Sequence, residues 1–84
     1  TVDADIRQVL AEQGKLAQEI STLSDDADLY AAGLTSHASV NVMLALEDTF
    51  DVEFPDRLLK KTTFTSVASI REALSELTSE NASS

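Results

Sequence analysis

Asp28-Leu29-Tyr30-Ala31-Ala32-Gly33-Leu34-Thr35-Ser36-His37-Ala38-Ser39-Val40 is the stretch on which the reading of this chain turns. A loop rich in small residues runs here into the strongest helical sequence of the chain, residues 36–50. Gly33 suits a turn just before that helix, and Thr35 or Ser36 is its natural N-cap. On a helical projection Val42, Met43, Leu46 and Phe50 gather on one side and are expected to face a core. His37, Asn41, Leu44, Ala45 and Asp48 gather on another, with Val40 between them. That second face mixes apolar with polar residues, where a purely structural helix is more evenly polar. Glu47 falls inside the apolar arc, at a flank or hydrogen-bonded, and no role is assigned to it.

Upstream, Ile6, Val9 and Leu10 make an i, i+3, i+4 stripe that predicts a helix over 3–15. Asp3 is its expected cap, Asp5 suits the first turn, and Gly14 and Lys15 mark its end. Residues 16–34 are left as a long connection, a kind of segment that is often functional. Ile20, Leu23, Leu29, Tyr30 and Leu34 are expected to fold back onto the core, while Asp25, Asp26 and Asp28 stay in water. Downstream, Asp51–Glu53 turns the chain. Pro55 suits the first position of a short helix over about 55–60 that ends at Lys60 and Lys61. Thr65 is the expected cap of a last helix, whose stripe of Val67, Ile70, Leu74 and Leu77 closes near Leu77. Three amphipathic helices bury one another's stripes in an up-and-down bundle.

Composition bounds the rest. Eighty-four residues make a single domain, 1–84, with its core over about 3–77 and a flexible polar tail at 78–84. Two glycines and one proline leave little room for a turn-rich β fold, so the fold class is all-α. A net charge of −9 argues against nucleic acid and anionic membranes and suits partners with basic docking surfaces. Without cysteine there is no disulfide or thiolate chemistry, and one histidine cannot make a His-rich metal site. No apolar run approaches a membrane span and no signal-peptide pattern is present, so the cytoplasm is the expected compartment.

The candidate chemistry centres on Ser36. As a nucleophile it needs a base, and the adjacent His37 points about 100° away on the helix, so a self-contained triad is not expected. Asp25, Asp26 and Asp28 lack the spacing of a calcium loop. Two readings remain from position alone. Ser36 is an N-cap, the commonest task of serine there, or it is an exposed attachment point whose added phosphodiester would sit at a helix N-terminus that favours negative charge.

Asp28 through Ser36, followed by Val40, Met43, Leu44, Ala45, Leu46, Glu47 and Phe50, resembles the acyl carrier protein family. Phe50-Asp51-Val52-Glu53-Phe54-Pro55-Asp56 resembles that family's connection between its second and third helices, and Thr65-Ser66-Val67 the start of its last one. The resemblance covers essentially the whole chain. It implies a bundle of three main helices plus one short helix, with a long loop between the first two. It implies that Ser36 carries 4′-phosphopantetheine, donated by coenzyme A through a magnesium-dependent phosphopantetheinyl transferase, with a cargo held as a thioester. The protein itself would not be an enzyme. His37, Val40, Asn41, Leu44, Ala45 and Asp48 would then form the docking face for partner enzymes, with Arg57 beside it.

Against the family's usual Asp-Ser-Leu, the chain has Thr35-Ser36-His37. Ala38 and Asn41 stand where fatty-acid carriers usually have acidic residues, and Arg57, Lys60 and Lys61 make the third-helix region more basic. These departures speak against housekeeping fatty-acid synthesis. The Gly33–Val40 stretch is similar to stand-alone bacterial carriers charged with amino acids by ligases resembling seryl-tRNA synthetases. The expected partners are thus the transferase, an amino-acid or acyl ligase and a downstream acceptor enzyme, with the carrier a monomer. A small polar aminoacyl cargo is expected to be little sheltered by the bundle. A carrier for specialised lipid or polyketide synthesis and an unmodified helical interaction module are the alternatives.

Overall fold

A computed structural model describes the backbone of residues 2–83 and the side chains of residues 2–78. Three α-helices, α1 (Val2–Gln13), α2 (Ser36–Phe50) and α3 (Val67–Ser83), are joined by segments holding three short 3₁₀ helices, η1 (Ile20–Thr22), η2 (Asp56–Leu58) and η3 (Lys61–Phe64). The described residues form no strand, and the architecture is the all-α bundle with a long first connection.

α1 packs against both other helices and carries the centre of the core. Its Ile6, Val9 and Leu10 are buried with Val42 and Leu46 of α2 and with Val67, Ile70, Leu74 and Leu77 of α3. The stripes of the first and last helices are therefore as expected. In α2 the core takes Ala38, Val42 and Leu46, whereas Met43 and Phe50 are only partly buried at its edge.

The ends of α1 differ from expectation. The helix begins at Val2, so Asp3 is inside the first turn rather than capping it; its carboxylate accepts two hydrogen bonds from Arg71 Nη1, at 3.1 and 2.9 Å. The helix stops at Gln13, and the left-handed residue after it is Lys15, with φ of 51°, not Gly14. Gly14 is buried instead, where a Cβ would lie 2.6 Å from the Leu10 carbonyl oxygen.

The connection between α1 and α2 is a built structure. Leu29 and Leu34 are buried, and Ile20, Leu23 and Tyr30 pack on the core as expected. Arg7 reaches beneath it, donating to the Ile20 and Leu23 carbonyls at 2.9 Å each and to Asp25 Oδ1 at 2.6 Å. Arg71 donates to the other oxygen of Asp25 at 3.2 Å. Asp25, expected in water with Asp26 and Asp28, is thus the joint between two helices and the loop. Its bonds to Arg7 and then Arg71 hold its pKa below the ordinary value for a carboxylate. Two backbone bonds complete the tether: Leu29 N–H to Thr65 O at 2.7 Å and Ala68 N–H to Asp25 O at 3.0 Å.

After α2 the chain departs again from the sequence expectation. The helix predicted over 55–60 is two short 3₁₀ turns, η2 and η3, broken at Lys60, whose φ and ψ of −141° and 158° are extended. Pro55 is extended too and precedes η2 rather than opening a helix. Thr65 is not the cap of α3; it has α-helical angles, and its hydroxyl donates to Lys61 O. Ser66 caps α3 reciprocally with Ser69: each backbone N–H donates to the other's Oγ, at 3.0 and 3.1 Å. α3 runs on past Leu77 to Ser83, so the backbone of the expected polar tail is helical as far as Ser83. Ser84 and the side chains of 79–83 lie outside the described residues.

Candidate functional site

Ser36 stands where a rigid turn meets a helix. Asp28 builds the turn, its Oδ1 accepting from the N–H groups of Tyr30 and Ala31 at 3.0 and 3.3 Å. Leu34 N–H closes it on Leu29 O at 2.9 Å. Gly33 has φ of 118°, and a Cβ there would come 2.7 Å from the backbone nitrogen of Ala17, so both conformation and space require glycine.

Thr35 then ends the ambiguity about the cap. It is extended, with φ of −100° and ψ of 164°, and its Oγ1 accepts the Ala38 N–H at 3.0 Å. Ser36 is accordingly the first helical residue. It is exposed, and among the described residues its hydroxyl has no hydrogen-bond partner. The N–H groups of Ser36 and His37 are likewise without partners in the described chain, leaving donors for an anion at the helix start. His37 is exposed, and no hydrogen bond joins its ring to Ser36. These features fit a serine esterified with phosphate: an open nucleophile, a rigid backbone and free N–H donors in a field that favours negative charge.

Beside Ser36 opens a cleft of about 350 Å³ between α2 and the η2–η3 segment. Val40, Met43, Leu59 and Phe64 give it apolar walls; Tyr30, Lys60 and Lys61 also line it. The Lys61 ammonium lies 4.9 Å from the centroid of the Tyr30 ring, a cation–π distance. Phe64 is held from behind by Phe54, with ring centroids 5.6 Å apart. Phe54 is held in turn by Glu47, whose Oε2 accepts its N–H at 2.8 Å, while Glu47 O accepts from Val52 at 3.1 Å. Glu47, which had no role by periodicity, fastens the chain after α2 and so one wall of the cleft.

The expected docking residues divide between surfaces. Val40 and Leu44 are 51% and 53% exposed and form a ridge running away from Ser36, with exposed His37 and Asp48 alongside. Asn41 and Ala45 are half-buried. Ala45 and Asp48 line a separate groove of about 320 Å³ against Asp5, Val9 and Glu12 of α1. Ala38, which stands where fatty-acid carriers usually have an acidic residue, is 4% exposed and belongs to the core. Arg57 is engaged with Glu76 of α3. Leu59, 46% exposed at the cleft, carries no signal in the sequence because it belongs to no periodic stripe.

Comparison with known proteins adds three findings. Residues 4–74 match the family described as the phosphopantetheine attachment site. The chain is 48% identical over 73 residues, 87% of its length and 88% of the relative's, to the curated aminoacyl carrier protein of Agrobacterium fabrum. Among solved structures it matches a complex of engineered Bradyrhizobium japonicum glycine:[carrier protein] ligase with carrier protein from Agrobacterium tumefaciens and ATP, at 45% identity and TM-score 0.89, covering 92% of this chain and 100% of that chain. A solution structure from Agrobacterium tumefaciens matches at 43% identity and TM-score 0.77, covering 98% of this chain and 99% of that one.

Proposed function

Because this chain belongs to the phosphopantetheine-attachment family, we propose that it is an aminoacyl carrier that bears the prosthetic group on Ser36 and performs no catalysis of its own. The observation that carries the reading is the Ser36 hydroxyl: exposed, unengaged, and set by the Thr35 cap at the first position of α2 beside an apolar cleft. When bound, phosphopantetheine supplies a thiol on a flexible arm, which this cysteine-free chain lacks. Ser36 holds the group, and the Ser36 and His37 N–H groups are the donors available to its phosphate. The aminoacyl cargo is proposed from the likeness to the Agrobacterium carrier.

The charging partner is an amino-acid:carrier protein ligase of the kind complexed with the similar carrier, and an acceptor enzyme takes the cargo afterwards. The Val40–Leu44 ridge, with His37 and Asp48, is the surface offered to them; Asn41, Ala45 and Arg57 contribute from its margins. The carrier acts as a monomer in the cytoplasm, and no helix among the described residues is long and apolar enough to cross a membrane.

The test is intact mass after incubation with coenzyme A, magnesium and a broad-specificity phosphopantetheinyl transferase. Wild type gains one phosphopantetheine and Ser36→Ala gains none while remaining helical by circular dichroism. No gain on folded, initially unmodified wild type overturns the assignment. Once the holo-form is made, gain of one aminoacyl group with ATP, glycine and the Bradyrhizobium ligase supports the cargo class; acylation only by a fatty-acyl ligase overturns it.

A further inference from the structure

We propose that Lys61 is a positioning residue for the prosthetic group: held against the Tyr30 ring, its ammonium pairs with the anionic phosphodiester on Ser36 and ties the root of the arm to η3. The inference rests on the reading of Ser36 as the attachment site.

The chain holds 15 Asp and Glu against 6 Lys and Arg, so its cations have carboxylates in plenty to pair with. Arg7 takes Asp25, Arg71 takes Asp3 and Asp25, and Arg57 takes Glu76. Lys61 takes none among the described residues. Its Nζ lies 4.9 Å from the centroid of the Tyr30 ring instead, a contact that holds an ammonium in place without neutralising it. The seat is built from both sides. Tyr30 packs on the core, its N–H donating to Asp28 Oδ1 at 3.0 Å and its carbonyl accepting from Gly33 at 3.2 Å. Lys61 opens η3, and its carbonyl accepts the Thr65 hydroxyl at 2.9 Å. Thr65 O in turn accepts the Leu29 N–H at 2.7 Å, so the turn before Ser36 and the segment carrying the lysine are joined. Ser36 and Lys61 line one cleft, and no carboxylate lines it with them.

A phosphodiester adds a negative charge to a chain already at −9. Distant carboxylates are screened, because the Debye length is about 8 Å at physiological ionic strength. The charges bordering the cleft therefore set the local balance, and these are Lys60 and Lys61. Lys60 has no ring or ion-pair partner among the described residues. Lys61 is already seated, so it gives up less side-chain freedom on pairing. The Ser36 and His37 N–H groups meet the phosphate from α2, and Lys61 supplies a full charge from η3. Such a pairing fixes the first bonds of the arm and leaves its thiol free to travel. Lys61 is exposed, so the pair is modest in strength and sensitive to salt.

Apo- and holo-protein are compared for wild type, Lys61→Met, Lys61→Arg and Lys60→Met, with intact mass verifying the added phosphopantetheine. Absence of the adduct on folded wild type is failure of the Ser36 reading, and it is seen before the pairing is measured. In wild type the Lys61 ε-methylene resonance is expected to move by more than a line width on modification. That of Lys15, outside the cleft, stays within one. The phosphorus NMR line of the phosphodiester is expected to shift in Lys61→Met and to return towards its wild-type position in Lys61→Arg. Holo-protein should melt about 2–4 °C above apo-protein, the size of an exposed ion pair in a small domain. That gap should vanish in Lys61→Met and at about 1 M NaCl, where the Debye length is about 3 Å. It should persist in Lys61→Arg and in Lys60→Met. A purely structural lysine would lower both melting temperatures alike and leave the gap. A stationary Lys61 resonance, a gap that survives Lys61→Met, or a gap lost with Lys60→Met alone overturns the proposal. Should Lys61→Met not fold, the wild-type Lys61 resonance decides: movement that salt reverses supports the pairing, and movement that is absent or indifferent to salt overturns it.

Discussion

Thr35 Oγ1 takes the Ala38 N–H, and this single bond leaves the next hydroxyl in the chain without structural duty. Thr35→Ala should cost about 1 kcal/mol, the usual worth of a cap, and lower the melting temperature by roughly 4–8 °C in a domain of this size. Thermal unfolding by circular dichroism checks this, and the folded fraction should still accept phosphopantetheine. Gly33→Ala should be costlier than the ~1 kcal/mol by which compatible glycine replacements usually stabilise, and of opposite sign, because both its φ of 118° and the approach to Ala17 forbid a Cβ. The same scan measures it. At this scale the sequence was half legible. Gly33 and the Thr35-or-Ser36 choice could be read from residue type. The true cap of α3 could not, although its signal, Ser66 and Ser69 three apart, was present. The reciprocal motif usually closes with Glu or Gln, and a second serine does not draw the eye.

The elements owe their placement to contacts between distant positions. Asp25 joins Arg7 of α1 to Arg71 of α3, and sequence periodicity carries no information on such a joint. Its pKa is lowered in the folded state, so its contribution is fully present above the unfolded-state value and is lost as pH falls through the folded one. Asp25→Asn should therefore have a lower urea midpoint than wild type at pH 7, and the difference should close below about pH 4, where an unfolded aspartate titrates. An unchanged midpoint at pH 7 contradicts the joint. The helical stripes were legible because each needs only its own spacing. The η2–η3 break was not: Pro55 and the two lysines have the composition of a short helix, but the partly buried Leu58, the Phe54–Phe64 contact and the Arg57–Glu76 pair set the path. Glu47 belongs here too, since its Phe54 partner lies around a turn.

For the molecule as a whole, the residues that carry stability differ from those of the proposed docking surface. Ile6 is fully buried where α1 meets both other helices. Ile6→Ala should cost about 2–5 kcal/mol, a large part of the roughly 5–15 kcal/mol that holds a natural domain together, and chemical denaturation will show it. Leu44 is half exposed on the ridge, and Leu44→Ala should change stability by less than about 0.5 kcal/mol. It should nonetheless weaken association with the charging ligase several-fold by titration calorimetry; unchanged affinity removes Leu44 from the docking surface. The all-α architecture and the exposed place of Ser36 at the start of α2 were readable from the chain because element lengths and motif agree. The cleft was not, since Leu59, Lys60 and Met43 meet only in three dimensions.

The two backbone bonds from the loop to the start of α3 have a consequence for the order of assembly. Leu29 waits for Thr65, and Asp25 waits for Ala68, so the turn before Ser36 gains its anchors from the last third of the chain. Closing loops of that span is among the slower contributions to folding. Hydrogen exchange at the Leu29 amide should therefore track the docking of α3 rather than the formation of α2. During synthesis a ribosome must release the chain through Ala68 before the serine is presented on its finished turn, and nascent chains stopped short of that point should be poor substrates for modification.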